Sequence, residues 1–339
     1  MIVRHFLQWA RTAPASRRAE GADALARAYL HADLDRATRR EAETAFAFLL
    51  DDSSPLVRRA LAQVFAGSPA APHSIVAALA NDQSDIAALV LSRSPLLTEI
   101  ELIDCAAIGD VFAQSAIALR AHVQSGVAAA LAEIGACEAA ISLAVNPGAE
   151  LPVFSMRRMI ERFGDDAQLR EALVSRPFLP PIVRSDLVDA TAASLASFVV
   201  DREWLSRERA DRVVREARDK ANVVIVAEAA ETDGRAGVRA LVAHLRRSGR
   251  LTASLVLRAL LSGNSALLEA SLAELSGVTD DKVAGLARDF RGAGFAALYA
   301  KAGMPGNLLP AFRAALEARQ AFGYRGGARL SLVMIQRVL

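Results

Sequence analysis

The chain has 339 residues, 53% of them apolar and only 5% aromatic, with 40 Lys+Arg against 38 Asp+Glu. That length allows one elongated array or two domains, and the mixed, nearly neutral charge describes a solvated surface rather than a polyanion-binding one. No apolar run reaches the ~18–20 residues of a membrane-crossing helix, which excludes that class.

Alanine is abundant, and it is the best helix former and the least bulky, so an all-α fold of closely approaching helices is expected. Only Lys220, Lys282 and Lys301 are lysines, an arginine and alanine bias that fits a GC-rich bacterial coding sequence. Cys105 and Cys137 sit in apolar helical runs, with no histidine at metal spacing. Buried thiols in a reducing, cytoplasmic compartment are expected, with no disulfide and no metal.

In chain order, Met1 to Ala19 carries no acid and sets Arg4, Arg11, Arg17 and Arg18 beside Ile2, Phe6, Leu7 and Trp9. An amphipathic helix capping the array is preferred over membrane contact. Arg18 to Tyr29 and Arg36 to Leu50 read as helices, the second with Ala42, Ala45, Phe46, Leu49 and Leu50 on one face. Asp51-Asp52-Ser53-Ser54-Pro55 stops one helix and starts the next, because proline suits a first turn. Leu56 to Phe65, Pro72 to Leu79 and Ile86 to Leu91 follow, and Thr98-Glu99-Ile100-Glu101 opens another helix with acids at its positive end. Breaks at Gly109-Asp110, Gly126, Gly135, Asn146-Pro147-Gly148, Gly164-Asp165-Asp166, Arg176-Pro177 and Pro180-Pro181 complete a series of short hairpins.

From Asp201 the pattern changes. Arg202 to Glu231 reads as one long charged helix with four acid-to-base i,i+4 pairs: Glu203–Arg207, Glu208–Arg212, Asp211–Arg215 and Glu216–Lys220. The β-branched run Val223 to Val226 is read as helix rather than strand. Arg235 to Arg247, Thr252 to Leu261, Asn264 to Leu275, Asp280 to Asp289, Gly294 to Lys301 and Asn307 to Phe322 are further helices, with Thr252, Asn264 and Thr279 as N-caps. Gly323 to Gly327 reads as a turn and Leu330 to Leu339 as a last amphipathic segment.

A phrase recurs about every 30 residues: Leu49-Leu50-Asp51-Asp52, Leu79-Ala80-Asn81-Asp82, Ala107-Ile108-Gly109-Asp110, Leu143-Ala144-Val145-Asn146 and Leu173-Val174-Ser175-Arg176. A repeated helical hairpin cannot bury its apolar face alone, and stacking on its neighbours makes an α-solenoid. The expected organisation is 1–35 as capping helices, 36–200 as the repeat array and 201–339 as an all-helical C-terminal region. Asp52 followed by Val57-Arg58 has the Asp-x-x-x-x-Val-Arg spacing of HEAT repeats, in which the aspartate meets an arginine of the next helix or the neighbouring repeat.

No chemistry-bearing motif accompanies this pattern. His5, His31, His73, His122 and His244 lack a ligand partner three or four residues on, and there is no phosphate loop, dinucleotide fingerprint or nucleophile elbow. His122 is expected to be a partly buried structural histidine. Nucleic acid is the second reading. Its contacts would be Arg157 and Arg158, the group His244, Arg246, Arg247 and Arg250, and the pairs Arg39-Arg40 and Arg58-Arg59. Interleaved acids and scarce aromatics weigh against it.

Several phrases together resemble a bacterial domain-of-unknown-function family built from HEAT-like helical repeats. They are Val57-Arg-Arg-Ala-Leu-Ala62, Ala71-Pro72, Leu79-Ala-Asn-Asp82, Val90-Leu91, Ser94-Pro95-Leu96-Leu97, Ala116-Ile-Ala-x-Arg120, Asn146 and Arg176-x-x-Leu179-Pro180. Leu255, Leu272-Ala-Glu-Leu275 and Tyr299-x-Lys301-Ala-Gly-Met-Pro305 extend the likeness toward the C-terminus. The resemblance implies an α-solenoid in a cytoplasmic bacterial setting and no activity. Arg120, Asn146 and Arg176 match its polar positions, and with Asp52 and Arg58 they are expected to clamp one repeat to the next. The period is shorter than the ~40–47 residues of HEAT arrays, so an open superhelix and a compact bundle both remain. The expected function is a non-enzymatic scaffold for a protein or peptide partner, without cofactor.

Overall fold

The computed structural model describes residues 6 and 8–322. Among these every regular element is a helix, and Val123 and Ala149 form an isolated parallel bridge. The contacts divide the chain into two units, Met1–Pro177 and Phe178–Leu339. The segment 178–200 therefore packs with the C-terminal region, which the sequence pattern begins at 201.

The first unit contains α1 (Ala15–His31), α2 (Arg36–Leu50), α3 (Pro55–Phe65), α4 (His73–Ala80), α5 (Ser84–Leu91), α6 (Glu99–Ile108), α7 (Val111–Ala118), α8 (Ser125–Ile134), α9 (Cys137–Val145), α10 (Val153–Phe163) and α11 (Ala167–Val174). Their starts follow local chemistry. Asp35, Asp110 and Asp166 each accept the N–H three residues on, and Thr98 with Glu101 forms a reciprocal capping box. Proline opens α3. Each odd helix packs on the next odd one, from α1 through α11, while α2 packs on α4 and α8 packs on both α6 and α10. Two rows of helices result. Tyr29, Phe46 and Phe65 meet edge-to-face in the core at 5.0–6.2 Å between ring centres.

The second unit contains α12 (Pro181–Asp201), α13 (Arg207–Thr232), α14 (Gly234–Arg247), α15 (Ala253–Leu261), α16 (Ser265–Ser276), α17 (Asp280–Arg288), α18 (Ala293–Lys301) and α19 (Leu309–Phe322). The long helix expected from Arg202 begins only at Arg207. Trp204 and Leu205 donate their N–H groups back to Val199 O, and Glu203 turns left-handed at φ 57°. Trp204 then packs edge-on against Phe198, 5.7 Å away, with Arg202 over the Phe198 ring. This aromatic clasp ends α12 and removes Glu203–Arg207 from any helical pair. Glu216–Lys220 does close, at 3.0 Å. The run Val223 to Val226 lies inside α13, with Val223, Ile225 and Val226 buried against Leu241, Val242 and Leu245 of α14. Thr252 and Asn264 cap as expected, whereas the Thr279 side chain makes no capping bond. The turn and final segment expected at 323–339, and most of the basic segment at 1–7, lie outside the described residues. No helix of the described residues is long and apolar enough to cross a membrane.

Candidate interaction surface

The first unit is held at its two edges by different polar ladders. One runs along the N-terminal ends of the odd helices. Arg18, fourth residue of α1, grips Asp52 in the α2–α3 turn through Nε and Nη2, both at 2.7 Å. Arg58, fourth residue of α3, grips Asp82 in the α4–α5 turn at 2.6 and 3.0 Å, and also donates to the carbonyl of Asp52. Ser84, at the head of α5, donates to Asp110 in the α6–α7 turn at 2.5 Å. Gln114, fourth residue of α7, accepts from Ala136 N–H in the α8–α9 turn at 2.9 Å. The Asp52 carboxyl is held below its usual range, first by the Arg18 hydrogen bond, against its burial, with the Ser54 N–H assisting.

The second ladder runs along the C-terminal ends, where helices leave carbonyls without partners. Arg120 donates to Leu91 O and Ser94 O at 2.5 and 2.7 Å, beyond the last turn of α5. Asn146 donates to Ala118 O and Arg120 O, both at 2.7 Å, at the end of α7. Arg176 donates to Ala144 O, Asn146 O and Ala149 O at 2.9–3.0 Å, at the end of α9. Burial pulls Arg120 and Arg176 below the usual guanidinium range. They nevertheless stay charged, and a cation suits the negative end of a helix dipole.

Of the five residues the sequence singles out as clamps, the structure thus places Asp52 and Arg58 on one edge and Arg120, Asn146 and Arg176 on the other. Arg18, Asp82, Ser84, Asp110 and Gln114 complete the first edge. The missed signal is positional. Arg18, Arg58, Gln114 and also Arg170, which donates to Gly164 O and Asp165 O, are each the fourth residue of an odd helix.

Beside the second ladder the surface is apolar. Leu119, Val145 and Val174 lie at the C-terminal ends of α7, α9 and α11 and are 58%, 57% and 63% exposed. Ile100 and Phe154, in the first turns of α6 and α10, enter from the loops on that same edge and are at least as exposed. Because the carbonyl clamps align those helix ends, the apolar side chains fall in a series along one edge.

A family model described as an uncharacterised protein conserved in bacteria (DUF2336) matches residues 86–339.

The chain belongs to this family. The matched stretch contains Arg120, Asn146 and Arg176, and leaves out Asp52 and Arg58. No curated protein and no solved structure matches the chain.

The remaining candidates in this DUF2336 chain are mostly occupied. Arg158 bonds Glu133 and Glu161, Arg246 bonds Glu274, and Arg250 pairs with Asp189. Arg247 donates to Ala243 O, and Arg157 is likewise engaged. Arg59 pairs with Asp85 and Arg39 stacks on Tyr29. His122 is not partly buried as expected. It stands in solvent, 61% exposed, 3.7 Å from Glu150. His244, grouped on the sequence with the basic cluster, is instead buried and bonded to Asp186 at 2.7 Å, because its position on α14 faces α12. Cys105 is buried, Cys137 is half-buried, and both thiols are free. Burial pushes both thiols above their usual range. Among the described residues no group of three His, Cys, Asp or Glu is placed to hold a metal ion.

Proposed function

We propose that this chain is a non-enzymatic scaffold in the bacterial cytoplasm whose first unit is a HEAT-like α-solenoid that binds a protein partner. The repeat reading is supported by next-but-one helix packing and by Arg–Asp pairs that join neighbouring hairpins. The observation that carries the binding reading is the apolar edge at Leu119, Val145 and Val174. Water-exposed aliphatic side chains in a rigid series mark an association site more often than a chance scatter does. A helix or extended peptide with matching apolar anchors suits such an edge. The arginines that would carry a nucleic-acid reading are largely bonded to acids or carbonyls, which leaves few counterions to release.

The test is affinity capture from a bacterial lysate with the full chain and with the triple variant L119S/V145S/V174S. A specific protein retained by the first and lost with the second supports the scaffold. Capture of no protein by either, together with retarded duplex DNA at ~50 mM salt, overturns it.

A further inference from the structure

The second unit holds a cavity of about 470 Å³ bordered by α12, α13, α15 and the α14–α15 turn. Five arginines border it (Arg212, Arg215, Arg218, Arg250 and Arg258) against three acids, Asp189, Glu216 and Asp219. The acids are partly consumed. Asp189 is 5% exposed and takes Arg250 and Arg218, and Glu216 takes Lys220. Burial raises the Asp219 carboxyl above its usual range, against the pull of Arg258 and Ser254.

The cations are not consumed to the same degree. Arg258 Nε is buried with no hydrogen-bond partner. Arg218 Nε faces Asp189 Oδ1 at 3.3 Å in an ion pair without hydrogen-bond geometry, and that acceptor is unsatisfied as well. Arg212 and Arg215 make no ion pair among the described residues. A buried guanidinium donor without an acceptor is costly, and native proteins supply one by water, ion or ligand. The Thr252 hydroxyl accepts from Leu255 N–H and so keeps its own proton to donate. The unsatisfied Arg258 donor and the unpaired Arg212 and Arg215 leave an excess of donors here, which suits an oxyanion with several acceptor atoms.

We propose that this cavity binds a phosphate group carried on a small molecule, with Arg258 donating to its oxygens and Arg212 and Arg215 drawing it in. Guanidinium forks match phosphate geometry, which favours it over a halide or a lone carboxylate. A larger cleft of about 940 Å³ shares Ser254 and Arg258 with the cavity and is bordered by Val223, Val224, Leu257 and Leu261. It gives the uncharged part of an organic phosphate an apolar wall to lie on.

Calorimetric titration of the full chain with inorganic phosphate, AMP and a duplex DNA tests this. Saturable binding of AMP, weakened at least tenfold in R258M and several-fold in R212Q/R215Q, supports the site. R258M keeps the aliphatic stem, and the double variant changes only exposed side chains, so a folded variant is in hand even if one fails. AMP binding more tightly than inorganic phosphate supports an organic phosphate, and inorganic phosphate binding as tightly as AMP overturns it. No saturable binding of either probe, unchanged affinity in the folded variants, or duplex DNA binding more tightly than AMP overturns the proposal.

Discussion

Arg58 meets Asp82 with two parallel hydrogen bonds, Nε to Oδ2 at 2.6 Å and Nη2 to Oδ1 at 3.0 Å, across 24 residues of sequence. The pair is largely shielded, with 17% and 10% of the two side chains exposed. Bidentate geometry in such a setting is the arrangement in which an ion pair contributes measurably. A double-mutant cycle of R58M and D82N, read by urea unfolding, is expected to give a coupling of ~1–3 kcal/mol. Additive single effects would show that the two residues are merely adjacent.

Asn146 satisfies two carbonyls at the end of α7 and steadies its own turn by accepting from Gly148 N–H at 2.8 Å. N146A leaves those groups unpaired in a site that is 9% exposed. A loss of about 2–3 kcal/mol is expected by chemical denaturation. N146D should be worse, since it sets a carboxylate oxygen against Ala118 O and Arg120 O, and an N146D protein as stable as N146A would refute this account.

Gly148 sits in the same turn, and a β-carbon added there would lie 2.0 Å from Ala121 O. That contact is backbone and cannot swing aside. G148A is expected to cost ~1–3 kcal/mol and to disturb the Val123–Ala149 bridge. Unchanged thermal unfolding would mean that the turn yields more readily than its packing indicates.

Asp52 has a depressed carboxyl in the folded state because Arg18 donates to it. Such a group contributes stability that is complete above the unfolded value, about 3.9, and is lost as pH falls through the lower folded value. The stability gap between the unaltered chain and D52N should therefore hold steady near neutral pH and close below about pH 4. Urea titrations across that range would reveal a gap that fails to close.

The apolar edge makes an opposite kind of prediction. Leu119, Val145 and Val174 are more than half exposed. Their replacement by serine should change stability by no more than about 0.5 kcal/mol per site. A larger loss would place these side chains in the core of the fold rather than on a surface available to a partner.

Much of the architecture was legible in the sequence because it rests on local rules. Thr98, Thr252 and Asn264 cap where they stand, and Pro55 starts a helix because it cannot continue one. The break at Arg202 was not legible. It depends on Trp204 folding back to Phe198, six residues earlier, a turn contact that overrides a charge pattern well suited to a helix. His244 was misplaced for a similar reason, since three arginines close in sequence obscured a side chain that turns inward to Asp186. On the first edge, Asp52 and Arg58 stand out as a motif and meet through the Asp52 carbonyl, while each side chain forms its ion pair with a residue outside the motif. The later rungs use Ser84 and Gln114 in place of arginine, so no search for one residue type finds them.

That change of chemistry along the first edge has a directional outcome. Its rungs Arg18–Asp52 and Ser84–Asp110 end on carboxyls held below their usual range by the hydrogen bonds they accept from Arg18 and Ser84. Gln114 and the clamps of Arg120, Asn146 and Arg176 bond amides and carbonyls that do not titrate. Acid should then loosen the first unit from α1 to the head of α7, which Asp110 also caps, before it reaches α8 to α10. Hydrogen exchange below about pH 4 would display this as a front moving along the chain, whereas simultaneous loss of protection in every helix would speak for a single cooperative block.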